Sequence, residues 1–400
     1  MAKLTSKKIQ ELLTRGVEKI IVRESLEKKL KSGEKLRIKH GVDPTTKDLH
    51  LGYAVIYQKL KEFQDLGHRV IFLIGDFTAR FGDPTDQRRT RGLRDKKEIE
   101  EAAKNYIKQI GKILDLKKLE IRRNSEWFDK FTGEDMLKLQ SRFTIARMLE
   151  RDMFQERMKK EEEIFCHEPV YPMLQAYDSV ILKSDLTVIG SDQLFNEVQA
   201  RELQKEYDQK PQDIITMSLL IGTDGKRKMS QSLGNYIGIT EEPIEQYGKI
   251  MSIPDDLIFH YFELCTKIPL KEIDQLKEAL KAGANPRDLK TRLAQEIVKL
   301  YHGSLKAKRA KEEFERIFKK HLEPSKIPER ELPLIRCRVQ DLLIKTKLAS
   351  SKSEARRLIE QGGVKIDRKT FKDWQEEIEV KKGMIIQVGK RKFIKLKPSS

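Results

Sequence analysis

The stretch from residue 36 to residue 76 constrains the fold most, because it places a strand pattern, a helix pattern and a second strand pattern in succession. Residues 36–42 alternate between apolar and polar side chains and end at a turn. Asp48 fits the N-cap of a helix with apolar residues at helical spacing, and Gly67 fits its left-handed end. Residues 70–74 are all apolar, as in a strand buried on both faces. This order predicts a βαβ unit and therefore a parallel sheet.

The same alternation of patterns continues along the chain. Further helix and strand patterns occur in turn near residues 96–115, 119–123, 134–149, 186–189, 193–207 and 214–217. They predict an α/β fold with a Rossmann-like doubly wound parallel sheet over residues 34–238. Residues 6–31 carry a helix pattern, so we expect residues 1–33 to form an N-terminal helical segment.

The chain changes character after about residue 240. Strand patterns stop there, and a charged helical pattern predicts an α-helical domain over residues 239–323. Prolines mark a linker over residues 324–335. Residues 336–400 contain two short helix patterns followed by strand patterns, which predicts a small α+β domain.

The charge balance indicates a polyanionic partner. The chain has 81 Lys and Arg against 63 Asp and Glu, a formal net charge of +18, and residues 331–400 contain 18 basic and 9 acidic residues. Nucleic acid is the first candidate and an acidic membrane surface the second. A lysine-rich solubilising surface, as in heat-adapted proteins, would give the same totals, so the motifs must decide.

Neither a membrane segment nor a redox site is indicated. The longest apolar run, residues 70–74, is far shorter than the ~20 residues of a membrane-spanning helix. The first residues lack the apolar core of a signal peptide, so we expect a cytoplasmic protein without membrane association. The three cysteines lie far apart and form no Cys-x-x-Cys pair, and we expect them to be reduced and structural: Cys166, Cys265 and Cys337.

Two segments follow strands of the predicted sheet, where helix N-termini offer free N–H groups to phosphates. The first is His50-Leu51-Gly52-Tyr53. Glycine inside a helix costs ~1 kcal/mol relative to alanine, so Gly52 suggests the close approach of a flat ligand, although an ordinary polar first turn also fits. The second segment, residues 222–232, combines glycines, three consecutive basic residues and two serines. Such a loop could close on a triphosphate.

These two segments resemble the HIGH and KMSKS signatures of the class I aminoacyl-tRNA synthetases, the second through Lys228-Met229-Ser230-Gln231-Ser232. Between them, Tyr171, Gln175 and Asp178 lie on one face of a helix and resemble the Tyr-x-x-x-Gln-x-x-Asp pattern of the bacterial-type tyrosyl-tRNA synthetases. Two further stretches resemble motifs of that family: Gly82-Asp83-Pro84, and Gly190-Ser191-Asp192-Gln193 with Asn196. The similarity extends over essentially the whole chain.

The resemblance implies a role for each matching residue. The implied catalytic residues are His50, Gly52, Lys228, Ser230 and Ser232. The implied tyrosine contacts are Asp83, Tyr171 and Gln175 at the ammonium, Gln193 at the carboxylate and Asp178 at the phenol. The implied ATP contacts are Gly41, Asp43, His50, Gly52, Gly190, Asp192 and Lys228, with Asp192 at the ribose. The role of Asp178 agrees with physical chemistry, because a buried acceptor would be left unpaired by phenylalanine.

The basic C-terminal region also resembles a known module. Residues 351–364 are similar to the RNA-binding module named after ribosomal small-subunit protein four. The resemblance directs Lys352, Arg356 and Arg357 towards phosphates, and it assigns anticodon recognition to the helical domain.

As a whole, the resemblance implies a ligase that forms tyrosyl-adenylate from tyrosine and ATP and then transfers the tyrosyl group to the 3′ end of tRNA(Tyr). ATP would bring Mg²⁺ as a co-substrate, without a dedicated metal site, and the protein would be a homodimer. Two alternatives are the related tryptophan–tRNA ligase and a catalytically weak paralogue that only binds RNA. Tyrosine-dependent exchange between ATP and pyrophosphate separates all three.

Several positions depart from the family pattern. Tyr53 and Gln231 replace the second histidine of HIGH and the second lysine of KMSKS. After Gly-Asp-Pro, Asp86 and Gln87 replace the common Gly-Lys, and they are followed by the basic residues Arg88, Arg89 and Arg91. Where many relatives have a tyrosine near the end of the first strand, this chain has Lys39. We therefore expect other cations, such as Lys226, Arg227 or Arg91, to face the phosphates, and hydroxyl selection to rest mostly on Asp178.

Overall fold

The computed structural model divides the chain into two compact units, Met1–Ala307 and Lys308–Ser400. It describes the residues 5–44, 48–83, 95–318, 327–333, 335–389 and 392–398. The predicted residues Pro84, Asp86, Gln87, Arg88, Arg89 and Arg91 lie outside these ranges. Within them, no helix is both long enough and apolar enough to cross a membrane.

A six-stranded sheet forms the centre of the first unit. Its strands are β1 (Val17–Ile21), β2 (Arg37–Val42), β3 (Arg69–Ile74), β4 (Glu120–Arg123), β5 (Leu186–Gly190) and β6 (Asp213–Met217). They lie in the order β1-β6-β5-β2-β3-β4, and all neighbouring pairs are parallel except β1 with β6. Every residue of β5 and β6 is buried, as expected for strands covered on both faces. The predicted α/β fold is confirmed.

The N-terminal region corrects one prediction. Residues 6–31 are not one helix but α1 (Ser6–Leu12), the strand β1 and α2 (Arg23–Ser32). Gly16 adopts a φ of +64°, which turns the chain after α1. The strand that follows contains Val17, Ile20 and Ile21, whose β-branched side chains favour a strand, and it pairs with β6 at the edge of the sheet.

Helices connect the strands of this sheet. They are α3 (Leu51–Asp65), α4 (Lys96–Ile110), α5 (Ser125–Phe128), α6 (Gly133–Gln140), α7 (Ile145–Leu149), α8 (Asp152–Lys159), α9 (Tyr171–Leu182) and α10 (Leu194–Glu206). The helix predicted near 134–149 is interrupted, because Thr144 caps a new helix by accepting the N–H of Arg147. The N-cap of α3 is His50, not Asp48, since the His50 side chain accepts the N–H of Gly52.

Residues 243–318 form helices separated by short turns, and the structure has no strand among them. The helices are α11 (Pro243–Met251), α12 (Ile258–Cys265), α13 (Leu270–Lys281), α14 (Pro286–His302) and α15 (Ser304–Phe318). The three cysteines are free thiols; Cys265 is buried and Cys337 half-buried, whereas Cys166 is exposed and lies outside the apolar core.

The second unit has a core of its own. Its elements are β7 (Glu329–Leu332), β8 (Arg336–Arg338), α16 (Val339–Lys345), α17 (Lys352–Glu360), β9 (Val364–Ile366), β10 (Lys369–Phe371), β11 (Glu377–Glu379), β12 (Ile385–Val388) and β13 (Lys392–Pro398). Both helices and the sheet β10-β9-β12-β13-β7 contribute buried side chains to one apolar cluster, including Leu342, Ile359 and Ile386. The predicted linker is wrong over residues 329–332, which form β7 and pair in parallel with β13.

Candidate functional site

The first part of the site is the carboxyl end of β2 and β3. Asp43 follows β2, and its carboxylate accepts hydrogen bonds from the Tyr171 hydroxyl at 3.1 Å and from the Thr78 hydroxyl at 2.7 Å. Gly75 follows β3, and a Cβ there would lie 2.0 Å from the Asp43 carboxylate. The sequence patterns did not identify Gly75, although a glycine directly after a buried strand was the available signal. At Gly41, by contrast, a Cβ would meet only Leu73, at 3.8 Å, so the fold itself tolerates a side chain there.

Asp178 lies on the buried face of α9 and is only 4% exposed. Its carboxylate accepts a hydrogen bond from Trp127 Nε1 at 3.0 Å and is also hydrogen-bonded by Asn124. Burial raises the pKa of Asp178 to about 8, against the opposing effects of Lys39, Trp127 and Asn124. The two polar neighbours from the segment 124–127 were not predicted, because they lie far from Asp178 in sequence.

A chain of side-chain amides links three of the predicted residues. Asn196 Nδ2 donates to Gln175 Oε1 at 2.8 Å and to Gln193 Oε1 at 3.1 Å. Gln193 Nε2 in turn donates to the Asp83 carboxylate at 3.2 Å. The structure thus brings together the predicted residues of α9, the start of α10 and the turn after β3.

Arg151 also reaches this chain of amides and was missed by the sequence analysis. Its guanidinium is 5% exposed and lies 3.2 Å from the Asp83 carboxylate. Nη1 of Arg151 and Oδ1 of Asn196 are buried atoms without a hydrogen-bond partner in the described part of the protein. Both atoms are therefore available to form a hydrogen bond with a polar ligand.

Below the amides, a buried ion pair joins β2 to α10. Lys39 Nζ lies 3.0 Å from Glu197 Oε1, and each side chain is 1% exposed. Lys39 also donates to the Ser179 hydroxyl at 2.6 Å. Glu197 accepts two further hydrogen bonds at 2.7 Å, from the side chains of Gln175 and Gln212. The sequence marked Lys39 only as a departure from the family, and it did not identify Glu197.

The start of α3 holds the predicted segment 50–53. Nδ1 of His50 accepts the N–H of Gly52 at 3.2 Å, and burial, with Lys228 nearby, lowers the pKa of His50 to about 4. The imidazole is therefore neutral at pH 7. A Cβ on Gly52 would lie 3.0 Å from the His50 ring. The close packing of His50 therefore also explains a glycine at this position, which the sequence patterns did not indicate.

The loop 222–232 is shaped by two side chains. Asp224 accepts the N–H groups of Lys226 and Arg227, both at 3.2 Å, and these contacts hold its pKa far below the usual range. Asn235 accepts the N–H of Ser230 at 2.8 Å and donates to the carbonyl of Lys228 at 3.1 Å. The loop therefore has a defined conformation stabilised by its own polar groups.

Two side chains connect this loop to the rest of the site. Lys228 Nζ lies 2.9 Å from the Asp192 carboxylate, beyond β5, and both side chains are partly exposed. Gln231 donates a hydrogen bond to the backbone carbonyl of Asp48, just before α3. The hydroxyls of Ser230 and Ser232 are 2.9 Å apart. At the strand end, a Cβ on Gly190 would lie 2.7 Å from the Asp192 carboxylate, so glycine gives this side chain its space.

The predicted basic residues of the second unit lie on α17 and are all exposed. Arg356 lies over the ring of Trp374, 4.4 Å from its centroid, and pairs with Glu360 at 2.8 Å. Lys352 lies 3.9 Å from Asp341. Residues Lys352 and Arg356 are one helical turn apart, so they share a face of α17.

The described ranges also bear on metal binding. They contain no group of three or more His, Cys, Asp or Glu side chains that could hold a metal ion.

Comparison with known proteins gives matches along nearly the whole chain. Residues 31–319 match the family model described as tRNA synthetases class I (W and Y), and residues 317–396 match that of the tyrosine–tRNA ligase SYY-like C-terminal domain. The chain is 47% identical over 394 residues to a tyrosine–tRNA ligase of Thermotoga maritima, and the match covers 98% of each chain. It is 46% identical over 390 residues to one of Moorella thermoacetica, covering 96% of this chain and 94% of the relative.

Among solved structures, the chain is similar to the tyrosyl-tRNA synthetase from Archaeoglobus fulgidus complexed with L-tyrosine. The identity is 25% and the TM-score is 0.62, over 76% of this chain and 99% of that one.

Proposed function

The chain belongs to the tyrosine–tRNA ligases, class I aminoacyl-tRNA synthetases that use ATP, and from this premise we propose how its residues carry out the reaction. A carboxylate oxygen of tyrosine attacks the α-phosphorus of ATP, and the bond to pyrophosphate breaks as the new O–P bond forms. A ribose hydroxyl at the 3′ end of tRNA then attacks the tyrosyl carbonyl carbon, and AMP leaves. Because the attacking carboxylate is already ionised, no side-chain nucleophile is needed, and the protein acts by positioning and by charge.

Recognition of tyrosine rests on the buried face of α9. Asp178 accepts the hydrogen bond of the phenol, and its burial supplies the selectivity, since phenylalanine would desolvate the carboxyl without adding this hydrogen bond to those from Trp127 and Asn124. Tyr171, Gln175 and Asp83 bind the ammonium, and Gln193 binds the carboxylate. The single observation that carries this proposal is that Asp178 is buried on the same helix as Tyr171 and Gln175, at helical spacing.

ATP lies between the start of α3 and the loop 222–232 in this proposal. Asp192 binds the ribose, which requires Lys228 to leave that carboxylate and turn to the phosphates. Gly41, Asp43 and Gly190 line the nucleotide and adenylate pocket, where Gly41 leaves room for a ligand. His50 presents a neutral imidazole to the phosphates, and Gly52, which has no side chain, lets the ligand approach the start of α3 closely. Ser230 and Ser232 supply hydroxyl donors from the loop.

Magnesium enters as part of the substrate. The described residues offer no cluster of metal-binding side chains, so we propose that Mg²⁺ arrives coordinated by the phosphates of ATP. There it neutralises phosphate charge, and the steps assigned to the protein require no metal held by side chains.

The tRNA is bound by regions outside this pocket. We assign residues 34–238 to catalysis after the N-terminal segment 1–33, residues 239–323 to the anticodon and residues 336–400 to RNA contacts through Lys352, Arg356 and Arg357. The exposed positive charges of α17 support the last assignment. We also propose that the protein acts in the cytoplasm.

We propose that the protein is a homodimer. Supporting this, four large apolar side chains that are at least 42% exposed fall within one stretch of 29 residues: Leu137, Ile145, Met158 and Phe165. These side chains are our candidates for the contact between the two copies.

The experiment that tests the function is tyrosine-dependent exchange between ATP and pyrophosphate, with phenylalanine and tryptophan as competing amino acids. We expect exchange with tyrosine alone, and its loss in Asp178→Ala while the far-UV CD spectrum is unchanged. Loss of a hydrogen bond to a charged partner reduces kcat/KM by about 10- to 100-fold or more. If Asp178→Ala still prefers tyrosine over phenylalanine by orders of magnitude, another group selects the hydroxyl and this assignment is wrong.

A further inference from the structure

The buried ion pair between Lys39 and Glu197 has no part in the roles assigned above. Each side chain is 1% exposed, so both charges have been removed from water. Burying an ion pair is unfavourable unless good geometry and further hydrogen bonds compensate, and apolar side chains often fill such positions equally well. The pair therefore calls for a reason beyond stability.

The hydrogen bonds of the pair reach Gln175, one of the three proposed tyrosine contacts on α9, and Ser179, which follows a second contact, Asp178. Glu197 Oε1 accepts from Gln175 Nε2 at 2.7 Å. Lys39 Nζ donates to the hydroxyl of Ser179, the residue after Asp178, at 2.6 Å. Glu197 thus contacts Gln175, and Lys39 contacts the residue that follows Asp178 in the sequence.

Glu197 also decides which way the Gln175 amide points. An ionised carboxylate only accepts hydrogen bonds, so it must face the NH₂ end of the amide. The carbonyl end then points the opposite way, where Asn196 Nδ2 donates to it at 2.8 Å and one lone pair remains. An ammonium group requires such an acceptor. A rotated amide would offer it a donor instead.

We propose that the Lys39–Glu197 pair is the positioning unit of the tyrosine pocket: Glu197 fixes the Gln175 carbonyl as an acceptor for the substrate ammonium, and Lys39 anchors the Asp178 turn of α9 and places a positive charge near its carboxylate. The inference rests on the proposed function, since it takes Gln175 and Asp178 as tyrosine contacts. It gives a role to Lys39, which the sequence marked only as a departure from the family pattern.

The charge of Lys39 bears on the ionisation of Asp178. The charged and titratable groups around that carboxyl are Lys39, Asp43 and Tyr171, with Trp127 and Asn124 as hydrogen-bond donors. Lys39 lowers the pKa of Asp178, and Asp43 raises it. Removing Lys39 therefore raises that pKa further, and the carboxylate that accepts from the phenol forms only at higher pH.

The test compares Lys39→Met and Glu197→Gln with the wild-type full-length protein. The rate of each protein is divided by its concentration of active sites, which is measured as the amount of tyrosyl-adenylate formed in a single turnover. Both variants should raise KM for tyrosine about 10- to 100-fold and leave KM for ATP within twofold. In Lys39→Met, the acidic limb of kcat/KM for tyrosine should also move to higher pH. In Glu197→Gln it should not, because Lys39 is still present.

A matched control is Lys59→Met. Lys59 is 2% exposed and paired with Glu62, so this change also removes a buried ammonium, but one whose hydrogen bonds go to Glu62 and to the carbonyl of Leu12. The control should lose stability but keep its KM for tyrosine and its pH profile. If the Lys39 and Glu197 variants behave in the same way, the inference is overturned. The nearly isosteric Glu197→Gln keeps the test valid if Lys39→Met does not fold.

The same measurements separate this inference from the proposed function. If Asp178→Ala and Gln175→Ala leave tyrosine activation intact, the proposed pocket itself is wrong. If those two variants lose it while the Lys39 and Glu197 variants behave like Lys59→Met, only the positioning role fails.

Discussion

At the scale of single residues, Asp178 lies in surroundings that favour its neutral form. Burial opposes its charge more strongly than Lys39, Trp127 and Asn124 support it, so its pKa rises to about 8. A phenol hydroxyl would add a donor to this carboxylate. The pocket therefore carries a stability penalty in the absence of substrate that a fitting substrate relieves, as functional sites often do.

This penalty predicts a pH-dependent gain of stability in Asp178→Asn. The carboxyl titrates at 3.8 in its ordinary state and at about 8 in the folded protein, so its neutral form stabilises the fold below pH 4 and this contribution is lost as the pH rises towards 8. Asparagine does not ionise. Thermal unfolding should therefore show Asp178→Asn at least ~1 kcal/mol more stable than wild type at pH 8.5, with a smaller difference at pH 4.5. An equal difference at both pH values would contradict the assigned cause.

At the scale of elements, the loop 222–232 has a defined conformation of its own, but its ion pair to the rest of the site is weak. The pair between Lys228 and Asp192 is partly exposed on both sides, and such pairs contribute at most ~1 kcal/mol. Substrate groups that bind either side chain can therefore replace it. Gln231 differs, because its hydrogen bond to the Asp48 carbonyl connects the loop to the start of α3.

Gln231→Ala should therefore slow tyrosyl-adenylate formation about 5-fold, the effect of one lost hydrogen bond, without changing tyrosine affinity. Gln231→Lys should be neutral or faster, since lysine also donates to a carbonyl and adds a positive charge near the phosphates. Stopped-flow measurement of adenylate formation distinguishes the two variants. A strong slowing by Gln231→Lys would mean that the amide has a further role.

At the scale of the whole molecule, the second unit has an apolar core of its own. We therefore predict that adenylate formation and tRNA binding can be separated. A chain that ends at Phe318, the last residue of α15, should form tyrosyl-adenylate at nearly the full rate but charge tRNA poorly. Each lost phosphate contact should also reduce the salt dependence of tRNA binding by a slope of about 0.7–0.9. Adenylate formation and charging are measured side by side. An equal fall in both would mean that residues after 318 support the catalytic unit instead of binding RNA.

Sequence patterns predicted arrangements within one element and missed contacts between residues that are far apart in the sequence. Tyr171, Gln175 and Asp178 share a face because their spacing matches successive turns of a helix, and this spacing can be read from the sequence. Glu197 and Arg151 belong to other elements, and only the packing of the sheet brings them to the site. The strand β1 was read as helix for the same reason, since its pairing partner is β6.

The pairing of β1 with β6 has a consequence for biosynthesis. Ile20 lies opposite Ile215, so β1 meets its partner strand only after the intervening chain has been translated. Until then, its apolar side chains and free backbone groups form an unprotected edge, which invites pairing with other nascent chains. The central strands can pair earlier, and β1, which is made before the other five strands of this sheet, is the last to find its partner.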